Sequence, residues 1–307
     1  MKILVTADWH VRGEAPRCRT DEDWISSQRE DIQHVWDIAR DRDVNEIWIL
    51  GDLFHQPRCS TEAVNMLLGA LKTAPAPVYI LPGNHDLPFH AYAHLESSSL
   101  GIVLKTYPEL TDRIFPDGLG QIRAWPFGLE PEYLQNALAG ARIWATHQLA
   151  FEAEKDRPIE GVGKTAQELL DEAPPSVNLV LTGDYHHGYC YEEPGTGRKV
   201  LTPGCLNIQA ADMKDYQPKV WVLELTPDSS NVIPIDLPAH RECIADGYLE
   251  AEKEREARME KCLASAAATD AVSLDFSANL EKAAAALPEG PRGIIQEIQD
   301  HLNKDRT

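Results

Sequence analysis

Five short segments of this chain carry side chains that could hold metal ions. They are Asp8-Trp9-His10, Gly51-Asp52-Leu53-Phe54-His55, Gly83-Asn84-His85-Asp86, Thr146-His147-Gln148 and Gly183-Asp184-Tyr185-His186. Divalent ions that do catalysis take carboxylate and carbonyl oxygen and imidazole nitrogen. Two such ions about 3.5–4 Å apart, sharing a bridging ligand, activate a water for in-line attack on a phosphate ester. The residue types therefore point to metal-assisted phosphoester hydrolysis. Asp8 and His10 stand at i and i+2, which face the same way on a strand, and Asp184 and His186 repeat that spacing. Asp52 follows a glycine, whose missing side chain allows close backbone approach, and is the candidate bridge. Asn84 offers a carbonyl oxygen and His147 an imidazole.

Each segment begins where an apolar, β-prone run stops, and ligands of open α/β sheets bind beyond the carboxyl ends of the strands. The pattern predicts strands at Lys2–Ala7, Glu46–Leu50, Pro77–Leu81, Ile122–Trp125, Arg142–Thr146 and Val177–Thr182. Between the early strands, Ile25, Ile32, Val35, Trp36 and Ala39 recur at helical spacing over 24–42. A second helix is expected from an N-cap at Ser60 to about Thr73. After His186, Pro194-Gly195-Thr196-Gly197 reads as a hairpin turn between Tyr189–Glu192 and Lys199–Leu201. Lys219–Leu225 and Asn231–Ile235 follow as alternating strands, and all of these late strands are expected in a second, antiparallel sheet. The fold class is α/β (α+β), a two-sheet sandwich flanked by helices. Residues 1–240 form that domain. Residues 241–307, rich in Ala, Glu, Lys and Arg, are expected to form a small, mainly helical appendage.

The chain has 307 residues, 49 acidic and 29 basic, a net charge of −20. This opposes strong unaided nucleic-acid binding, which needs a basic footprint, although bound divalent ions reverse the local field. Six cysteines without paired spacing suggest a reduced compartment. No apolar run reaches the length of a membrane span, and the N-terminus reads as a strand rather than a signal peptide. No contact with a membrane and a cytoplasmic location in a bacterial or phage-infected cell are expected.

As an ordered set, D-x-H, G-D-x-x-H, G-N-H-D, a lone strand-end His and a final G-x-x-H resemble the calcineurin-like metallophosphoesterase superfamily. Gly51-Asp52-Leu53-Phe54-His55 with Pro57 is similar to the double-strand-break repair nucleases, the SbcD subunit of bacterial SbcC–SbcD and its counterpart in the eukaryotic MRN complex. Thr202-Pro203-Gly204-Cys205 and the strand after it resemble the end of that nuclease domain. The resemblance covers roughly residues 1–240. It implies the metallophosphoesterase sandwich and a two-metal DNA exonuclease or endonuclease working in DNA repair and recombination. Asp8, His10, Asp52 and His186 would hold one ion, and Asp52, Asn84, His147 and Asp184 the other. The ions would be two divalent cations, manganese first and magnesium as the alternative. His85 would be the catalytic histidine, oriented by Asp86, and His55 would help place the scissile phosphate. The implied partners are DNA, an SMC-like ATPase of the SbcC type and a second copy of the chain. Asp184 departs from the family pattern, which has histidine there, and should make the site harder and more anionic.

Alternatives exist for each feature. A small-molecule or nucleotide phosphodiesterase would use the same site, and the acidic charge favours it. A protein phosphatase is disfavoured, because its group carries Gly-Asp-x-x-Asp-Arg-Gly and Gly-Asn-His-Glu. An inactive scaffold for an ATPase would leave the filled positions unexplained. Gly161-Val162-Gly163-Lys164-Thr165 invites a phosphate-loop reading, but Pro158 replaces the first glycine and no buried strand precedes it. A loop opening a helix near Thr165 is expected instead. Arg12, Arg17, Arg19 and Arg58 follow metal motifs and could meet phosphates or serve solubility. Ile294, Ile295, Ile298 and Leu302 would suit a partner groove or the chain's own core. His34, His90, His94, His240 and His301 carry no motif and receive no role.

Overall fold

In the computed structural model, residues 1–129, 140–157, 161–210, 213–227, 229–245 and 247 are described. The chain divides into two compact units, Met1–Ala245 and Asp246–Thr307. The expected helical appendage lies almost wholly outside the described residues.

The first unit opens with β1 (Lys2–Thr6), α1 (Trp24–Asp41), β2 (Glu46–Leu50), α2 (Thr61–Leu71) and β3 (Val78–Leu81). A short α3 (Ser99–Val103) leads to β4 (Arg113–Phe115), β5 (Gly120–Trp125), β6 (Ala141–Thr146), β7 (Ala150–Phe151) and β8 (Lys164–Thr165). Then come α4 (Ala166–Glu172), β9 (Leu179–Thr182), β10 (Tyr189–Glu192), β11 (Lys199–Thr202), β12 (Lys219–Leu225) and β13 (Ser230–Asp236). The main sheets run β13-β12-β1-β2-β3 and β10-β11-β9-β6-β5-β4, beside a two-stranded β7-β8 ribbon.

Strict alternation along the strands builds the layers. Ile3, Val5, Trp48 and Leu50 from the first sheet meet Ile143, Leu179, Leu181 and Leu201 from the second in one buried cluster. The intervening Leu4, Ile47, Ile49 and Ile80 turn the other way, onto Ile32, Val35, Trp36 and Leu67 of α1 and α2. Trp144, Val180 and Val200 of the second sheet pack on Leu169 and Leu170 of α4. The result is the expected helix-flanked two-sheet sandwich.

Several local signals act as read. The Ser60 hydroxyl caps α2 by accepting from the Ala63 N–H, a contact of about 1 kcal/mol. Thr165 and Glu168 form a capping box at α4, so the glycine-rich 161–165 stretch ends as a strand and a helix cap. The assignment of the late strands needs correction. β12 pairs antiparallel with β1 and so completes the first sheet, with β13 at its edge. β11 is parallel to β9, and only β10 pairs antiparallel with it. Alternation shows that such strands bury one face, but not which sheet supplies the neighbour. Among the described residues, no helix is long and apolar enough to cross a membrane.

β1, β2 and β3 are mutually parallel, as are β5, β6, β9 and β11. The five metal-type segments follow β1, β2, β3, β6 and β9.

Candidate binuclear metal centre

The first two loops leave their strands side by side. The Asp8 N–H donates to Gly51 O at 3.0 Å, His10 N–H to Asp52 O at 2.9 Å and Val11 N–H to Leu53 O at 2.9 Å. Asp8, His10, Asp52 and Asp184 have φ of 51°, 46°, 49° and 75°. Such left-handed positions cost non-glycine residues about 1–3 kcal/mol each and gather at functional sites. They also correct the i, i+2 argument. β1 ends at Thr6 and β9 at Thr182, so both pairs converge through left-handed turns rather than through strand alternation.

The side chains meet at two centres. Asp8, His10 and His186 bring one ligand atom each within 4.8 Å of one another, and so do Asp8, Asp52 and His147. Asp52 reaches both, with Oδ2 3.7 Å from His10 Nε2 and Oδ1 3.4 Å from His147 Nε2. That two-sided placement suits a bridge. His186 turns inward to His10, whereas His187 is exposed and packs on Tyr216. The Asp184 N–H donates to Asp8 Oδ1 at 3.2 Å, and its carboxylate raises the pKa of both Asp8 and His147. Burial, reinforced by Asp52, pushes Asp184 itself up.

Four observations fit divalent ions to this donor set. First, Asp8 is fully buried and its Oδ2 has no hydrogen-bond partner. Second, His10 Nε2 and His186 Nε2 lie 3.0 Å apart. Burial lowers His10 well below its usual range and His186 to about 4. Two neutral imidazoles pointing at each other at that span match neighbouring ligands of one ion, with bonds of about 2.0–2.1 Å. Third, Asn84 Oδ1 faces both Asp52 oxygens and His147 Nε2, where a rotated amide would donate to them. An oxygen belongs there when a cation lies between. Fourth, burial pulls His147 down, but the surrounding carboxylates, Asp52 foremost, push it up to about 10. The cluster demands positive charge.

His147 is pre-set as a ligand. Its Nδ1–H donates to Leu50 O at 2.7 Å, which leaves Nε2 with the lone pair. Three glycines make room around this frame. A Cβ on Gly51 would lie 2.0 Å from His147 Nδ1, one on Gly183 2.5 Å from the same atom, and one on Gly83 2.2 Å from Asp52 Oδ1.

The Gly83–Asp86 segment needs a correction. Asp86 does not orient His85. Its buried carboxylate accepts from the N–H groups of Phe54 at 2.9 Å, Gly83 at 3.0 Å and Leu53 at 3.2 Å. Burial, with Asp52 nearby, pushes its pKa up to about 7. It staples the third loop to the second. His85 is instead held by His55, whose carbonyl lies 2.8 Å from His85 Nδ1. The two rings stack at 5.6 Å, and both edge the His10 ring. Asp86→Ala strands three buried N–H groups and should cost about 3 kcal/mol or more, read as a lowered urea midpoint. A stability equal to wild type would refute the staple.

The arginines separate. Arg12 is half-buried, bound to Gln209 and close enough to His55 to lower that imidazole, which burial first brings down to about 4. Arg17 and Arg58 are exposed. Arg19 is buried, forked to Asp21 by two 2.7 Å bonds and laid over Trp24. It is committed to structure and leaves the set of phosphate contacts. The supports missed in the sequence are Gln209, the carbonyls of Leu50 and His55, and Cys205, whose N–H donates to His186 O at 3.0 Å. Backbone acceptors leave no residue signature, and Gln209 belongs to no motif.

The fold is a two-sheet sandwich with candidate metal-ligand clusters beyond its strand ends. Residues 1–147 match the family model described as calcineurin-like phosphoesterase, so this stretch of the chain is similar to that family. A dimetal phosphatase from Danio rerio superposes with a TM-score of 0.51 at 13% identity, covering 77% of this chain and 98% of that one. An archaeal phosphodiesterase gives 0.42 at 14% identity over 77% and 100% of the two chains. A metallophosphoesterase from Sphaerobacter thermophilus gives 0.37 at 14% over 78% and 90%.

Proposed function

We propose that this chain hydrolyses phosphodiester bonds in DNA, as the nuclease subunit of an end-processing complex of the SbcC–SbcD kind. The observation that carries the hydrolytic reading is the convergence of seven ligand-type side chains beside a histidine with a free ring nitrogen. Asp8, His10, Asp52 and His186 would hold one ion, and Asp52, Asn84, His147 and Asp184 the other. When bound, two such ions activate water and polarise a phosphate oxygen.

The remaining work falls to the protein. With Nδ1 tied to the His55 carbonyl, His85 directs Nε2 into the site, where it can deliver a proton to the leaving oxygen. His55, stacked on His85, helps seat the phosphate. Arg12, anchored by Gln209, adds positive charge at the rim, with exposed Arg17 and Arg58 further along the same loops. The donor set is oxygen-rich, which favours manganese or magnesium.

The DNA reading rests on the Gly51–His55 and Pro57 pattern. It brings with it the proposed partners: DNA, an SMC-like ATPase and a second copy of the chain. The net charge of −20 supports the second reading, a small-molecule or nucleotide phosphodiesterase. End-labelled linear DNA in Mn²⁺ separates them. Shortened strands support the nuclease. Intact DNA beside rapid hydrolysis of a nucleotide diester, with an ATPase partner present, would favour the small substrate.

Asp184→His restores the residue usual in the family at a position already facing Asp8 and His147. We expect kcat within about tenfold of wild type, since an imidazole supplies a comparable ligand. Complete loss of hydrolysis would mean that the pocket is shaped around the carboxylate.

A further inference from the structure

A second group of metal-type side chains shares no residue with the binuclear centre. Asp31 and His34 stand three residues apart on α1, hence on one face. His240 follows β13 in a left-handed conformation with φ 47°, a strained choice for a residue with a side chain. One ligand atom from each of the three lies within 4.8 Å of the others.

The details favour a cation over a hydrogen-bonded pair. Asp31 is buried, with 3% of its surface exposed. Its Oδ2 accepts from Asn207 Nδ2 at 3.0 Å, which leaves Oδ1 toward the histidines. Asp31 Oδ1 and His240 Nε2 are 3.5 Å apart, beyond the usual 2.7–3.2 Å of a hydrogen bond. Zinc bonds of about 2.0–2.1 Å at tetrahedral angles place neighbouring ligand atoms about 3.4 Å apart. The His34 and His240 rings lie 6.4 Å centre to centre, and His34 Nδ1 is buried without a partner. On the far side of His240, Glu242 Oε1 is 3.4 Å from Nδ1. At that distance the carboxylate makes no hydrogen bond, but its charge lies on the side of the ring from which carboxylates support zinc-bound histidines. Arg19, whose charge Asp31 also stabilises, is already held by Asp21.

We propose that Asp31, His34 and His240 form a third cation site, suited to Zn²⁺, with water in the fourth position. The ion ties α1 to the segment leaving β13, five residues before the boundary between the two compact units at Ala245. This site is independent of the phosphoesterase reading and stands or falls alone.

The test is zinc content of the full-length chain after equilibration with buffered micromolar Zn²⁺ and desalting. His34→Gln and His240→Gln are each expected to bind one zinc fewer per chain than wild type. Occupancy of the binuclear centre is common to all three proteins and cancels in the difference. Both variants should keep the far-UV circular dichroism and the monodispersity of wild type, which shows that they are folded. Glu242→Gln should weaken the lost zinc about tenfold. Equal zinc in wild type and both variants would overturn the proposal and leave Asp31 and His240 as an ion pair.

Discussion

Replacing His85 by alanine is expected to lower kcat on DNA by about 10²–10⁴-fold, the usual worth of a general acid, with both ions of the centre retained. Two features of the structure separate proton delivery from metal binding. The His85 ring is anchored through Nδ1 to the His55 carbonyl, and the one ligand-type group it enters, with His10 and His55, contains no carboxylate. The leaving group sharpens the test. An aryl phosphate releases a weakly basic phenolate that departs without a proton, whereas a sugar hydroxyl needs one. The loss should therefore be much smaller with the chromogenic diester than with DNA. Disappearance of the ions from the variant, or an equal loss on both substrates, would remove His85 from the role of acid.

The second large effect should come from a methyl group. Gly51→Ala places a Cβ 2.0 Å from His147 Nδ1 and 2.7 Å from two ring carbons, at a φ of +91°. The left-handed backbone costs about 1–2 kcal/mol, and the clash drives the imidazole off the Leu50 carbonyl. A ligand moved by about 1 Å is enough for a hundredfold loss of rate. We expect kcat to fall at least 100-fold, with weaker binding of the ion nearest His147. Gly69→Ala in α2 is the control. Nothing lies within 4 Å of its new Cβ, so activity should not change, and stability should rise by up to about 1 kcal/mol. Normal metal content and rate in Gly51→Ala would mean that His147 is not held as described.

Much of this site can be read from residue order because each ligand follows an apolar strand run. Asp8, Asp52, Asn84, His147 and His186 converge for that reason, and the caps at Ser60 and Thr165 are equally local. What escapes is non-local or made by the backbone. The left-handed turns at Asp8, His10 and Asp184 replace the alternation inferred for them, since φ is not encoded by spacing alone. Asp86 is committed to three N–H groups that no motif advertises. Arg19 beside a metal motif looks free until Asp21 and Trp24 fold onto it. The pairing of β12 with β1 joins residues more than 200 apart in the chain, which alternation cannot specify. Asp31 and His34 on α1 look unremarkable until the fold brings the distant His240 to them.

The central claim is that Asp52 joins two ions into one hydrolytic centre. The most direct measurement is Mn²⁺-dependent hydrolysis of a chromogenic bis-phosphodiester by the metal-stripped chain, with Asp52→Ala alongside. We predict no activity without metal, recovery on adding Mn²⁺, and none in the variant at any Mn²⁺ concentration. Hydrolysis by Asp52→Ala at a rate near wild type, or by the stripped chain in excess chelator, would contradict the account.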